Sequence, residues 1–226
     1  MNVDHKWILI DDERFYYEET ELFHGRKIMD PKTSKENLQI FNSIMGKAQI
    51  TYGLFFGTLL GAIREKNFIE HDEDIDIYLL DEEKEIFLRL LILFKKEGLN
   101  LVRLQGDMLS LMRNNEYIDI YFFKFKLKFG FIKLRVFSNE YEYAAKNLEN
   151  PIKHLFLGIN ISIPNDPETV IKKIYGKNWR MPLKSMHSEP NTFYNRISKM
   201  STGLKKIPAY EKLELVIKNL LKKFGL

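Results

Sequence analysis

The chain has 226 residues, 45% of them apolar and 29% charged, with a formal net charge of +4 and no cysteine. That size supports one domain with a sizeable core, and the balance of apolar and charged residues excludes a disordered chain. Without cysteine there are no disulfides, no Cys-ligated zinc, no iron–sulfur cluster and no thiol nucleophile. Early acids (Asp4, Asp11, Asp12, Glu13) argue against a signal peptide, and runs such as Leu90–Phe94 are too short to span a bilayer. A cytoplasmic protein is expected.

In chain order, Thr33-Ser34-Lys35-Glu36 has the spacing of a capping box. Leu38, Phe41, Ile44, Met45 and Ala48 then recur at helical spacing, predicting a helix from about Ser34 to Ile50. Thr51–Phe56 reads as a short buried strand ending at Gly57, and Thr58–Glu65 as one or two helical turns. Asp74–Leu80 is the next predicted strand. Asp81 is expected to cap a helix reaching about Glu97, stopped by Gly98.

Strands follow at Leu99–Leu104, Met108–Arg113 and Tyr117–Phe125, with a further β stretch over Lys128–Phe137. Ile159–Ile163 reads as a strand. Asp166-Pro167-Glu168 opens a helix that Gly176 closes, and Ala209–Phe224 forms a last amphipathic helix. This order implies a mixed α+β sheet flanked by helices. Residues 1–183 are assigned to a catalytic domain and 184–226 to a C-terminal helical extension, packed on the core or lying near a membrane.

Asp74 and Asp76 stand two apart, so on a strand they share a face. Adjacent carboxylates repel unless a cation lies between them, and Mg²⁺ is held by one or two carboxylates together with substrate phosphates. A solvated acidic edge is the bland alternative for such a pair. Asp119, inside the apolar run Tyr117–Phe123, is a third carboxylate, disfavoured there by desolvation. Gly57-Thr58 can offer backbone N–H groups and a hydroxyl to a phosphate, and Arg64 and Lys66 can neutralise its charge. His71 abuts the acidic cluster. Spacing alone does not separate these roles from a solvated turn.

The five histidines show no metal-ligand spacing, and there is no Gly-x-Ser-x-Gly elbow. No Arg-rich stripe with interleaved aromatics is present, so nucleic acid is not an expected partner. Six lysines against two acids in residues 205–226 flank the apolar stripe of the last helix, as in an interfacial helix. Peripheral membrane contact at the inner face competes there with packing on the core.

Taken together, Gly57–Arg64, Phe68-Ile69 and Asp72–Ile77 resemble the signature of the LicD/fukutin family, within the nucleotidyltransferase-fold superfamily. Asp119 matches that family's third carboxylate. Ile163-Pro164, Ile171–Trp179 and Pro182 resemble its downstream Tyr-Gly…Trp…Pro segment, so the likeness runs from about Ser34 to Pro182. The resemblance implies a nucleotidyltransferase-like sheet and transfer of an alcohol phosphate, phosphocholine- or polyol-phosphate-like, from a CDP-linked donor. The acceptor would be a hydroxyl of a surface glycan or glycolipid.

By that resemblance Asp74, Asp76 and Asp119 are catalytic and bind Mg²⁺, or Mn²⁺ in its place, while Gly57, Thr58, Arg64, Lys66 and His71 bind substrate. His71 stands where the family commonly has Trp, and Glu65-Lys66-Asn67 replaces a more basic, Gly-containing turn. Nucleotidyl transfer to a small acceptor with release of pyrophosphate, and a non-catalytic glycan-binding scaffold, are the competing readings.

Overall fold

The computed structural model describes residues 6–182, except His24 and Asn139. The predicted helix Ala209–Phe224, and with it the extension 184–226 and its membrane contact, lies outside the described residues. Among those residues no helix is long and apolar enough to cross a membrane.

The central sheet has the order β3-β4-β7-β6-β5, built from β3 (Tyr52–Leu54), β4 (Ile75–Leu80), β5 (Asn100–Gln105), β6 (Met108–Arg113) and β7 (Glu116–Lys128). Only the β4–β7 pair in this order is parallel; the other neighbours are antiparallel. A parallel neighbour requires a crossover, and the chain between β4 and β7 supplies it as α3 (Lys84–Arg89), α4 (Leu91–Lys96) and the β5–β6 hairpin. The far half of β7 pairs with β8 (Ile132–Phe137), which pairs with β9 (Tyr141–Ala144). Two separate hairpins, β1 (Lys6–Ile10) with β2 (Glu13–Tyr17) and β10 (Ile152–Phe156) with β11 (Ile159–Ile163), complete the strands. The expected mixed α+β architecture is what forms.

Both faces of the sheet are covered. Ile75, Ile77, Leu79, Ile118, Ile120 and Phe122 alternate onto one face, where they meet α1 (Pro31–Ala48), α3 and α4. There Phe41 packs on Tyr52, Phe87 and Phe94, and Phe87 packs on Phe122. On the other face Phe55 sits among Tyr78, Phe123 and Tyr143, and α2 (Phe56–Arg64) lies over β4. The helix α6 (Pro167–Tyr175) packs outside α2, and α5 (Ala145–Glu149) lies against β8 and β9. Because β4 is buried along its whole length, its register cannot slip without exposing an apolar face.

Several element boundaries differ from expectation. Helix α1 starts three residues early: Asp30, followed by Pro31 at the first helical position, accepts from the Thr33 N–H at 2.8 Å. Asp30 thus takes the capping role assigned to Thr33, and Ser34 is buried inside the helix. The predicted single helix from Asp81 to Glu97 divides. Residues 81–83 form a 3-10 turn with no side-chain cap, and α3 and α4 are separated at Leu90. Both the Leu93 and Phe94 N–H groups donate to the Leu90 carbonyl, a tightening that lets Phe87, Leu91 and Phe94 all face the core. The β stretch expected over Lys128–Phe137 is cut by a reversal at Phe129-Gly130, with φ of +56° and +82°.

Truncating Phe41 tests the apolar layer apart from the site. Phe41→Ala should destabilise the protein by about 3–5 kcal/mol in urea unfolding, with the far-UV circular dichroism of the folded fraction unchanged.

Candidate functional site

The parallel β4–β7 pairing sets Asp76 directly opposite Asp119. Each is only 6% and 4% exposed, so a solvated acidic edge does not describe them. Asp74 lies at the bend immediately before β4, and Asp72 precedes it in the same loop. Four carboxylates therefore converge where β4 begins.

Asp76 is held at both ends. Its Oδ2 accepts from the Gly57 N–H at 2.9 Å and its Oδ1 from the Tyr121 hydroxyl at 3.0 Å. Its own N–H donates to Thr58 Oγ1 at 2.9 Å, and its carbonyl accepts from the Phe55 N–H at 2.9 Å. The Gly-Thr turn is thus folded around Asp76, with the free amides of the α2 N-terminus aimed at a carboxylate. A side chain at 57 would crowd Asp72: an added Cβ would lie 2.6 Å from its Oδ2.

Asp119 is held from the other side. Ser110 Oγ donates to its Oδ1 at 2.5 Å, and Arg103 Nη2 lies 2.8 and 2.6 Å from its two oxygens. The Asp72 Oδ2 is buried without a hydrogen-bond partner. The loop carrying it is tied to residues 25–29, since both Glu73 carboxylate oxygens accept from the Gly25 N–H and the Asp72 carbonyl accepts from the Met29 N–H.

These surroundings disfavour charge on the acids. Burial, followed by the charges of Asp76, Asp119 and Asp72, pushes the Asp74 carboxyl well above its ordinary range. Burial and the charges of Asp72 and Asp119 do the same to Asp76, against the hydrogen bonds from Tyr121 and Gly57. Asp72 rises to about 7, chiefly by burial, with the backbone hydrogen bond at Glu73 opposing and the Glu73 charge adding. Buried carboxylates that repel one another are relieved by a cation.

Among the described residues no three or more His, Asp and Glu side chains already stand around one point as a metal centre, and Asp119 is turned toward Arg103. The donor set nevertheless fits a hard divalent ion: all the acids supply oxygen, and Asp72 presents an unpartnered buried one.

A cavity of about 260 Å³ opens on this cluster, lined by Leu22, Phe23, His71, Asp72, Glu73, Asp74, Arg103, Tyr117 and Asp119. Of the expected substrate-binding residues, His71 lines it and is exposed. Gly57 reaches the cluster through its amide. Thr58 is fully buried, its hydroxyl oxygen accepting from Asp76. Arg64 points elsewhere, donating to the Trp179 carbonyl at 3.0 Å and to Glu65 Oε1 at 2.6 Å. Lys66 sits exposed in a left-handed turn, φ +56°, outside the cavity lining. Arg103, Ser110, Tyr117, Tyr121 and Asp72 belong to the site and were absent from the expected set. The signal for Arg103 was the one that exposed Asp119, a charged residue within a short apolar strand.

The sequence model of the family described as LicD/FKTN/FKRP, nucleotidyltransferase domain, matches residues 49–166. Ribitol-5-phosphate transferase FKTN of Homo sapiens is 26% identical over 193 residues, covering 74% of this chain and 38% of that protein. Lipopolysaccharide cholinephosphotransferase LicD of Haemophilus influenzae is 43% identical over 51 residues, covering 23% of this chain and 19% of that protein. The chain thus spans less than half the length of these curated relatives. The solution structure of the antibiotic-resistance factor ANT(2'')-Ia superposes with a TM-score of 0.46 at 12% identity, covering 87% of this chain and 95% of that one.

Two outcomes follow from the packing at Asp72. Gly57→Ala should displace the Asp72 carboxylate and weaken the Gly57–Asp76 hydrogen bond, lowering Mn²⁺ affinity in a calorimetric titration while the protein stays folded. In metal-free buffer, a carboxyl raised from its unfolded value to about 7 binds more protons when folded, so stability falls as pH rises between those values. Asp72→Asn should therefore raise Tm at pH 8, and the gain should shrink steadily toward pH 5.

Proposed function

The chain belongs to the LicD/FKTN/FKRP nucleotidyltransferase-domain family, and on that premise we propose that it moves an alcohol phosphate from a CDP-linked donor onto a glycan or glycolipid hydroxyl. The observation that carries this reading is the buried facing pair Asp76 and Asp119, with Asp74 beside them and both Asp74 and Asp119 lining a polar cavity. FKTN and LicD, by their names, transfer ribitol 5-phosphate and phosphocholine, which supports a donor of that class. Asp74 and Asp76 would hold Mg²⁺, with Mn²⁺ able to replace it. The ion would supply charge neutralisation on the donor's diphosphate, the main requirement of phosphoryl transfer.

The remaining work falls to the chain itself. Gly57, Thr58 and Tyr121 hold Asp76 in one orientation, so the ligand geometry is set before substrate enters. The acceptor oxygen forms a bond to the donor's alcohol-bearing phosphorus as the bond from that phosphorus to CMP breaks. Asp119, which lines the cavity, would take the acceptor's proton. His71, exposed at the rim, faces whichever portion of the substrate projects from the cavity.

Asp74→Ala should keep a cooperative unfolding transition, with a metal-free Tm at or above that of the wild type because a repelling carboxylate is gone. Its turnover should fall on the order of a hundredfold to a thousandfold. Product analysis checks the reaction: a thermal-shift screen with Mg²⁺ identifies the stabilising CDP-alcohol, and turnover should then release CMP. Release of pyrophosphate from a nucleoside triphosphate would instead establish nucleotidyl transfer. Near-wild-type turnover in Asp74→Ala would sink the assignment of the metal to that residue.

A further inference from the structure

A single row of side chains crosses four strands of the sheet. Arg103 on β5 is registered opposite Ser110 on β6, Ser110 opposite Asp119 on β7, and Asp119 opposite Asp76 on β4. Registered neighbours project from the same face, so a cation stands at one end of the row and Asp76 at the other. The bonds follow the row. Arg103 Nε donates to Ser110 Oγ at 2.9 Å, Ser110 Oγ donates to Asp119 at 2.5 Å, and Arg103 Nη2 grips both Asp119 oxygens.

Arg103 reaches this face through a backbone irregularity. Leu101 pairs with Leu111 on the apolar face, and by strict alternation residue 103 would point the same way. A one-residue bulge between Leu101 and Arg103 shifts the register. It lets Leu101 and Leu104 both remain on the apolar face and turns Arg103 to the acidic one. Bulges of this kind re-aim side chains beside functional sites. Arg103 is the one Lys or Arg among the described residues that line the cavity, and its side chain is only 14% exposed.

We propose that Arg103 is a positioning residue of this site: a built-in cation that fixes the Asp119 carboxylate and moderates the affinity of the acidic cluster for a divalent metal ion. The proposal rests on the metal-dependent reading above and goes beyond it, since it assigns the strength of metal binding to a side chain that ligates nothing. With Arg103 in place, Asp119 is held off the metal and kept at the cavity wall, and the cluster carries one positive charge of its own. Without it, Asp119 is free to swing toward the ion and the local charge becomes more negative. Both changes strengthen cation binding. Both also remove Asp119 from the place where an acceptor would meet it.

The test is calorimetric titration with Mn²⁺ in the absence of substrate, paired with kcat and KM for the CDP-alcohol found in the screen, on Arg103→Met, Arg103→Lys and Ser110→Ala. Arg89→Met, which removes an exposed arginine paired with Asp11, is the control. Arg103→Met should bind Mn²⁺ on the order of tenfold more tightly and turn over more slowly. Arg103→Lys should return metal affinity to near the wild-type value but restore turnover only in part, because an ammonium cannot fork across Asp119 and Ser110. Ser110→Ala keeps the charge and loses the anchor, so it should leave metal affinity unchanged and lower kcat with KM held.

Unchanged metal affinity in Arg103→Met would overturn the proposal. If that variant does not fold, weaker Mn²⁺ binding or unaltered kcat in Ser110→Ala overturns it instead. Absence of Mn²⁺ binding by the wild type would bring down the metal-dependent reading itself, a different result from an Arg103 variant that behaves like the wild type.

Discussion

Like charges buried together on one sheet face are the constraint around which this protein is arranged. Asp72, Asp74, Asp76 and Asp119 are brought together where β4 and β7 pair in parallel, and burial drives Asp72, Asp74 and Asp76 toward their neutral forms. The structure offsets that cost with donors: the Gly57 amide, the Tyr121 hydroxyl, Ser110 and Arg103. An aromatic floor keeps these donors in place. Phe55, Tyr78, Phe123 and Tyr143 interlock edge to face beside the acids, and Phe56 braces Tyr121. Such pairs add about 0.5–1.5 kcal/mol each beyond their burial and leave the hydrogen-bonding groups little room to turn away. The remaining imbalance of charge is what a bound cation would relieve.

The carboxylates were legible in the sequence because period-two patterning is robust when the neighbours are large and apolar. Ile75, Ile77 and Leu79 on one side of Asp76, and Ile118 and Ile120 around Asp119, leave no register that would put those acids elsewhere. The roles of Thr58 and Arg64 were not legible. A Gly-Thr turn opening a helix has the same local sequence whether its amides face a phosphate or a carboxylate nineteen residues on, and only the tertiary register decides. Arg103 was hidden for a related reason, since a bulge changes which face a residue takes without any change in composition.

The missed hairpin β1–β2 has a different origin. Trp7, Leu9 and Tyr16 remain exposed while Ile10 and Tyr17 are buried, so the pattern of a half-buried strand is weak. Its turn uses Asp11 and Asp12, both at positive φ, in place of the Asn-Gly or Asp-Gly pair that marks most such reversals. The start of α1 differs on a smaller scale, because Asp30, three residues before Thr33, caps the helix and Pro31 at the first helical position favours that start.

Helix α2 has one further mechanical property. Its nine residues make a rod of about 13 Å, with the Asp76 carboxylate fastened to its first turn through Gly57 and the Trp179 carbonyl fastened to its last through Arg64. Gly61 lets the rod lie flush on the chain at Asn67, where an added Cβ would meet the Asn67 carbonyl oxygen at 2.6 Å. A rod fastened at both ends and seated at its middle has little freedom to turn, so the Gly57 amide stays aimed at the Asp76 carboxylate.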